Sequence, residues 1–326
     1  MNVPPTDGIR VPVEDLRALV VDIFKKVPIP GEHAQLIADL LVDTDLRGVV
    51  SHGVTSVERY VRSFQEGKAN THPEVQVLQE GPVTAALSGD GGMGMMVATR
   101  AMGMAIAKAR ELGVGIATTT YHDHIGSAGK YVRMALNQDL IGSGFSGRSA
   151  SPTYGHDGTI QASVQGSPPM AFGMPSGPER PYFLLDMGSS MAHGREFEKM
   201  PDLFFKSIGL SNVANIMSGT LGGQMLPQFD RRNIHYKGAD QSGFFMALDI
   251  ERFVPLQAFV DDMDYLMDEV SKMQPFPGYA EATLPGGPEW KREQQYAEEG
   301  IPLSAAIVES LEKLAGEFGL AVPWQA

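Results

Sequence analysis

The chain has 326 residues, a formal net charge of −13 and no cysteine. Its length is sufficient for two domains with sizeable cores. The excess of negative charge argues against nucleic acid and anionic membranes as partners, because both require a basic surface. Without cysteine there is no disulfide, thiolate nucleophile or cysteine metal site. No signal-peptide pattern and no run of about 18 apolar residues occurs, so we expect a cytoplasmic location.

Apolar residues recur at helical spacing in the first 70 residues and then alternate between strand-like and helical patterns. The spacing predicts helices at Val13–Lys26, Gly31–Thr44, Tyr60–Gly67, Met95–Leu112, Tyr131–Leu136, Ser207–Leu221, Leu256–Met273 and Ile307–Phe318. It predicts strands at Val75–Leu78, Val83–Ser88, Val114–Thr119, Leu140–Phe145, Tyr182–Leu185 and Gly243–Leu248. It also predicts loops with short strands over 148–181 and a loop over 275–288. Interleaved strands and helices predict a mixed α/β protein.

A glycine motif lies between a predicted strand and a predicted helix. Gly89, Gly91 and Gly94 satisfy the G-x-G-x-x-G pattern of dinucleotide-binding loops. However, Asp90 puts a negative charge inside the loop, and Glu111, about 20 residues on, ends a helix rather than a strand. The alternatives are a phosphate-binding loop and a structural turn, and the turn is favoured.

Two histidine segments are the main candidates for chemistry. His52 lies beside Ser51 in Arg47-Gly48-Val49-Val50-Ser51-His52-Gly53-Val54, at the end of a predicted helix. Histidine is the side chain whose ordinary pKa lies near neutrality, so His52 is a candidate proton donor. His122 and His124 alternate around Asp123, and on an extended segment both rings would face one side.

Neither a metal site nor a serine hydrolase is favoured by these residues. The histidines do not form an H-E-x-x-H pattern, and we expect no metal. Ser51 lacks the G-x-S-x-G pattern of a nucleophile elbow, so hydrogen bonding to substrate is a better interpretation of its position beside His52.

Taken in order, these segments resemble the malate/L-lactate dehydrogenase family of the sulfolactate-dehydrogenase type, which is unrelated to the Rossmann malate and lactate dehydrogenases. That family includes ureidoglycolate dehydrogenases, diketogulonate reductases and Δ1-piperideine-2-carboxylate reductases. The most specific matches are Arg47-Gly48-x-x-Ser51-His52-Gly53-Val54 and Asp123-His124-Ile125-Gly126-x-Ala128-Gly129-x-Tyr131. Weaker matches are Leu185-Asp186-Met187, Phe205-Lys206-x-x-Gly209-Leu210, Ala247-Leu248-Asp249 and Leu284-Pro285-Gly286.

The resemblance implies NADH- or NADPH-dependent reduction of a 2-oxo acid or a cyclic imine carboxylate, or the reverse oxidation, by a homodimer. It implies a mixed α/β (α+β) fold with a non-Rossmann mixed-sheet cofactor domain at 81–280 and a helical layer at 1–80 joined by 281–326. His52 matches the family's proton donor, and His124 matches a histidine near nicotinamide and substrate. With them, Ser51 is a candidate catalytic residue through hydrogen bonding to substrate. The matched cofactor-binding residues are Tyr182, Leu184, Asp186, Met187, Gly188, Phe205, Lys206, Gly286 and Gly287.

The chain also departs from the family pattern. Ser56 stands where the family commonly has an arginine that holds the substrate carboxylate. Arg148 and Arg59 are the candidates to replace that cation, since a guanidinium can bind a carboxylate with two hydrogen bonds. The family's Gly-Thr-Asn-Pro stretch reads Gln165-Gly166-Ser167-Pro168, and the segment His193–Phe204 is shortened. These departures leave open an alternative, a homologue with altered or lost catalysis that acts as a binding subunit.

Overall fold

The computed structural model describes residues 5, 7–149, 167–189 and 199–325. In chain order its helices and strands are β1 (Ile9–Val11), α1 (Val13–Phe24), α2 (Gly31–Leu46), α3 (Val57–Gln65), β2 (Gln76–Glu80), β3 (Thr84–Ser88), α4 (Gly94–Leu112), β4 (Val114–His122), α5 (Gly129–Leu136), β5 (Leu140–Gly147), β6 (Pro169–Met174), β7 (Phe183–Gly188), α6 (Pro201–Asn215), β8 (Gln241–Asp249), α7 (Leu256–Ser271), α8 (Gly287–Glu299), β9 (Ile301–Leu303) and α9 (Ala305–Glu317).

The chain divides into two compact units, Met1–Pro73 with Gly286–Ala326, and Glu74–Pro285. From the sequence we expected the boundaries between these units at 80/81 and 280/281. In the structure the first boundary lies nearer the N-terminus, after Pro73, because β2 pairs antiparallel with β3 and so belongs to the sheet of the second unit.

The first unit is a helical layer with one small ribbon. Helices α1 and α2 pack through side chains at helical spacing, among them the fully buried Leu16, Ile23 and Ile37. Strands β1 and β9 pair antiparallel, with Ile9 opposite Leu303. Helix α8, absent from the predicted elements, buries only Gly287 and Tyr296, so its sequence has no apolar periodicity to reveal it.

The second unit is built on a seven-stranded sheet in the order β2-β3-β4-β8-β5-β6-β7. Among these described strands β3 and β4 pair in parallel, and the remaining neighbours are antiparallel. A Rossmann domain would instead require a mostly parallel sheet. The predicted mixed, non-Rossmann α/β fold is therefore confirmed.

Helix α6 begins at Pro201, six residues before the predicted start, and continues into a π-helical turn at Ile216–Thr220. Proline at the first helical position is a recognised start signal, because its missing N–H has no partner there in any case. No helix among the described residues is long and apolar enough to cross a membrane.

Candidate active-site residues

The loop that carries His52 is anchored at both ends within the first unit. Before the loop, the Arg47 guanidinium donates to Glu293 of α8 at 2.7 Å. After it, the buried carboxylate of Asp45 accepts the backbone N–H of Val54 at 2.6 Å. Gly53 is required because a Cβ there would overlap that carboxylate. Sequence reasoning assigned no role to Asp45 or Glu293, although a carboxylate at the end of an apolar helical pattern was a visible signal.

His52 itself is half-buried, and Ser51 beside it is exposed. The two residues lie on a short 3₁₀ turn, Val50–His52, with Ser51 Oγ 2.8 Å from His52 Nδ1. Thr71 and His72 make the same kind of neighbouring contact at 3.0 Å. The Ser51–His52 contact therefore orients the ring but does not by itself identify a catalytic histidine.

The two positions considered for carboxylate binding in this unit differ in exposure. Ser56, which stands in place of the family arginine, is buried at the start of α3. Arg59 is exposed, and its guanidinium lies 4.8 Å from the ring centroid of Tyr60.

In the second unit, His122 is a structural histidine. It ends β4 with a fully buried side chain, and its Nδ1 lies 2.7 Å from the carbonyl oxygen of Asp123. A carbonyl only accepts, so Nδ1 donates and Nε2 accepts from the Thr119 hydroxyl at 2.8 Å. Burial lowers the pKa of His122 to about 4, so the ring is neutral at physiological pH. The strand stops here, and the alternation predicted to place His122 and His124 on one side does not apply.

His124 lies on the loop between β4 and α5 and is half-buried. Its backbone N–H donates to the Asp123 side chain at 2.7 Å, and its Nδ1 accepts the backbone N–H of Gly126 at 3.1 Å. Because Nδ1 is an acceptor, the neutral ring carries its proton on Nε2. His124 is thus arranged to donate a hydrogen bond.

Of the β7 residues proposed to bind cofactor, Asp186 has the clearest side-chain contact. Its Oδ2 accepts the backbone N–H of Gly129 at the start of α5, at 2.9 Å. The carboxylate therefore caps that helix.

The other proposed residues in this stretch differ in burial. Leu184 is buried, and its backbone N–H donates to the Pro285 carbonyl at 2.9 Å, which ties β7 to the segment that precedes α8. Tyr182 is half-buried, with its hydroxyl 3.4 Å from Asn137 Oδ1. Met187 is half-buried and Gly188 is exposed.

The remaining proposed cofactor residues lie on two helices. Phe205 and Lys206 are exposed on α6. Gly286 and Gly287 are buried at the start of α8, which belongs to the first unit.

Arg148 is held by an acidic partner. Its Nε and Nη2 donate to Oδ1 of Asp240 at 3.0 and 2.9 Å, and Arg231 lies 3.5 Å from the other carboxylate oxygen. The Asp240 side chain is only 8% exposed, whereas the Arg148 side chain is 45% exposed. Sequence reasoning missed Asp240, which lies 92 residues from Arg148 and carries no local signal.

The Gly89–Gly94 segment packs against protein. A Cβ on Gly89 would lie 2.7 Å from Cβ of His122, and one on Gly94 would overlap the carbonyl of Asp123. Gly91 has φ +74°, and its missing side chain leaves room for the Tyr236 ring. These contacts account for the glycines as a tight turn.

Several of the residues singled out in the sequence fall outside the described part of the chain. These are Gln165, Gly166 and residues 190–198, which include half of the shortened segment His193–Phe204. Among the residues that are described, no group of three or more histidines and carboxylates is arranged to hold a metal ion.

Comparison with known proteins identifies the class. The family model for malate/L-lactate dehydrogenase matches residues 11–202 and 201–312. The malate dehydrogenase of Pyrococcus horikoshii is 31% identical over 96% of both chains, and its solved structure superposes with a TM-score of 0.82 at 29% identity over 99% of both chains. The L-sulfolactate dehydrogenase of Methanocaldococcus jannaschii is 28% identical, over 94% of this chain and 96% of that protein. The NAD(+) ureidoglycolate dehydrogenase of Escherichia coli O157:H7 is 25% identical, over 93% and 95%.

The chain therefore belongs to the malate/L-lactate dehydrogenase family. It is an oxidoreductase of the hydroxy-acid dehydrogenase type, which acts on a small molecule with a nicotinamide cofactor.

Proposed function

We propose that this protein transfers hydride between NADH or NADPH and C2 of a small carboxylate substrate, with His52 as the proton donor. In the reducing direction the substrate is a 2-oxo acid or a cyclic imine carboxylate. The product is the 2-hydroxy acid or the cyclic amine. The observation that carries the proposal is the anchored His52 loop, in a chain that matches the family over nearly its whole length.

The chemistry of the available side chains fits a nicotinamide dinucleotide. Lys206 provides an exposed cation for a phosphate, and Asp186 provides an exposed carboxylate for ribose hydroxyls. When bound, the cofactor supplies or accepts the hydride.

His52 gives a proton to the substrate oxygen or nitrogen as negative charge develops there, and takes it back in the oxidation. Ser51 contributes by holding Nδ1 of the ring. A positioned acid of this kind contributes roughly 10²–10⁴-fold to the rate. His124 donates from Nε2 to the substrate carbonyl or carboxylate and so polarises or orients it.

The substrate carboxylate needs a cation, because the chain carries a net charge of −13 and Ser56 supplies none. Arg148 and Arg59 are the proposed anchors. Asp240 already engages the Arg148 guanidinium, so fewer of its donors remain for a substrate carboxylate. This contact favours a second candidate function, a binding subunit without turnover. We also predict that the protein is a homodimer and lies in the cytoplasm.

A turnover assay distinguishes the dehydrogenase from the binding subunit. We expect NADH or NADPH to be oxidised in the presence of at least one member of a panel of 2-oxo acids and cyclic imine carboxylates. Stabilisation of the fold by the cofactor without turnover of any panel member would favour the binding subunit instead.

A further inference from the structure

Two residues before His124 lies a fully buried histidine that has no part in the proposed reaction. His122 is 0% exposed, and its ring is neutral at physiological pH because burial lowers its pKa. Burying a polar ring costs free energy unless its nitrogens are hydrogen-bonded, whereas an apolar side chain could fill the same space without that requirement. The presence of a histidine here therefore requires an explanation.

The two ring nitrogens of His122 connect the end of β4 to the loop that follows it. Nε2 accepts a hydrogen bond from the Thr119 hydroxyl at 2.8 Å, within the strand. Nδ1 donates to the Asp123 carbonyl at 2.7 Å, in the loop. Because Thr119 is fully buried in the sheet, the ring ties the Asp123 peptide group to a rigid part of the fold.

Asp123 is held by its backbone and holds His124 with its side chain. Its N–H donates to the Gly92 carbonyl at 2.9 Å, while its own carbonyl accepts from His122. Its Oδ1 accepts the backbone N–H of His124 at 2.7 Å, and Nδ1 of His124 accepts the Gly126 N–H at 3.1 Å. A continuous series of hydrogen bonds thus runs from the buried strand to the ring of His124.

The glycine turn at Gly89–Gly94 leaves the space that His122 occupies. A Cβ on Gly89 would lie 2.7 Å from Cβ of His122. One on Gly94 would lie 2.7 Å from His122 Nδ1 and would overlap the Asp123 carbonyl. Two of the three glycines in the G-x-G-x-x-G pattern are therefore explained by the buried histidine and the peptide group that it holds.

The backbone just before His122 is strained. Tyr121 has φ +52°, in the left-handed region that residues with a side chain rarely adopt. Its carbonyl accepts the Gly91 N–H at 2.9 Å, so the glycine turn stabilises this conformation. Strain of this kind persists only where surrounding contacts fix it, and it is concentrated at functional sites.

We propose that His122 is a positioning residue, which fixes His124 for its contact with substrate without touching the substrate itself. This proposal rests on the role given to His124 in the proposed function. His122 holds the Asp123 carbonyl, the Asp123 carboxylate holds the backbone of His124, and Gly126 keeps the proton of that ring on Nε2. A misplacement of about 1 Å at a reacting group can cost on the order of 100-fold in rate.

Matched variants of the full chain separate the hydrogen bond from the volume of the ring. His122→Leu removes both ring nitrogens, whereas His122→Asn keeps an amide donor close to the position of Nδ1. We expect His122→Leu to lower kcat roughly tenfold or more, and His122→Asn to restore most of that loss. An unchanged kcat in His122→Leu, or an equal loss in both variants, would contradict the proposal.

Phe244→Leu is the control for lost core volume. Thr119 pairs with Gly243 and side chains alternate along a strand, so Phe244 lies on the opposite face of the sheet from Thr119. There it packs against Phe145, and the variant should keep the native kcat. A fall in kcat as large as that of His122→Leu would show that any loss of packing in the sheet has this effect.

A double variant shows whether His122 acts through His124. In a His124→Ala background, His122→Leu should lower kcat little further, because the group that it positions is already absent. If the two losses instead multiply, His122 acts independently of His124 and the proposal is wrong.

NMR of the 15N-labelled histidines tests the positioning without any turnover. The native His124 ring should show a protonated Nε2 and a bare Nδ1, in a signal that His124→Ala identifies by its loss. His122→Leu and Gly94→Ala should both convert it to a mixture of tautomers, and Gly94→Ala provides the test if His122→Leu does not fold. Gly103→Ala, in the same helix with open space, should leave it unchanged.

The NMR result also separates this proposal from the proposed reaction. A His124 signal that neither His122→Leu nor Gly94→Ala alters would overturn the positioning role, even in an active enzyme. The expected change in a chain that turns over no substrate would instead support the positioning role and reject only the reaction.

Discussion

Arg148 donates two hydrogen bonds to a single oxygen of Asp240, from Nε at 3.0 Å and from Nη2 at 2.9 Å. The carboxylate is largely buried and the guanidinium is nearly half exposed. The Nε and Nη2 side of the guanidinium is thus occupied by a contact within the protein. Any substrate carboxylate must bind the remaining donors or be held elsewhere.

Arg148→Ala tests both roles of this arginine. If Arg148 anchors the substrate, the variant raises KM for substrate far more than for cofactor, by a loss on the order of 2–5 kcal/mol at a desolvated site. It should also destabilise the fold by about 1–2 kcal/mol, because Asp240 loses its closest cation. Arg180→Ala is the control, since Arg180 pairs with the exposed Asp268 and should cost under about 1 kcal/mol. An unchanged KM together with lower stability in urea would make Arg148 purely structural.

His52→Ala should lower kcat by roughly 10²–10⁴-fold while cofactor affinity survives. The reason is that proton donation is needed only as charge develops on the substrate. His72→Ala is the matched control, because His72 has the same contact with a neighbouring hydroxyl. Steady-state kinetics and cofactor titration measure the two effects. Near-native kcat in His52→Ala would remove this residue from the mechanism.

The stability of the sheet unit should depend on pH through His122. Burial lowers its pKa from 6.5 to about 4, so between these values the unfolded chain binds more protons than the folded chain. The contribution of neutral His122 to the free energy of unfolding is fully present above pH 6.5 and is lost as the pH falls to about 4. The loss is on the order of 3 kcal/mol.

Urea unfolding at a series of pH values measures this dependence. His122→Gln should be less stable than the native protein at neutral pH but should lose less stability across the window. His72→Gln is the matched control, because it makes the same substitution at an exposed histidine. If the free energy of unfolding of His122→Gln changed with pH as steeply as that of the native protein, groups other than His122 would cause the pH dependence.

Gly91→Ala separates a structural turn from a phosphate-binding loop. The positive φ and the Tyr236 ring both oppose a Cβ, so we expect a loss of at least about 1 kcal/mol with cofactor affinity retained by the folded protein. Gly103→Ala, in α4 with open space, should instead stabilise by about 0.5–1 kcal/mol. Weakened cofactor binding at unchanged stability would restore the phosphate-loop interpretation.

The elements with strong periodicity were predictable from sequence. The helix expected at Met95–Leu112 forms at Gly94–Leu112, and the strand expected at Gly243–Leu248 forms at Gln241–Asp249. Helix α8 was not predictable in this way, because it buries only Gly287 and Tyr296 and its sequence is mainly polar. Strands of three residues, such as β1, are too short to show an alternation.

The candidate site was only partly predictable. Local motifs indicated His52 and His124, but the partners that position or engage candidate residues come from distant parts of the chain. Glu293 lies 246 residues from Arg47, and Asp240 lies 92 residues from Arg148. Such contacts form only when the chain folds, so no local sequence pattern predicts them.

The most direct test of the proposed reaction follows the hydride itself. The native chain is incubated with a cofactor deuterated at the transferable C4 position and with the panel of 2-oxo acids and cyclic imine carboxylates. Mass spectrometry of the products then locates the label. We predict at least one product with a single deuterium at C2, formed far more slowly by His52→Ala. If the native chain binds the cofactor but transfers no deuterium to any member of the panel, the proposed reaction is wrong.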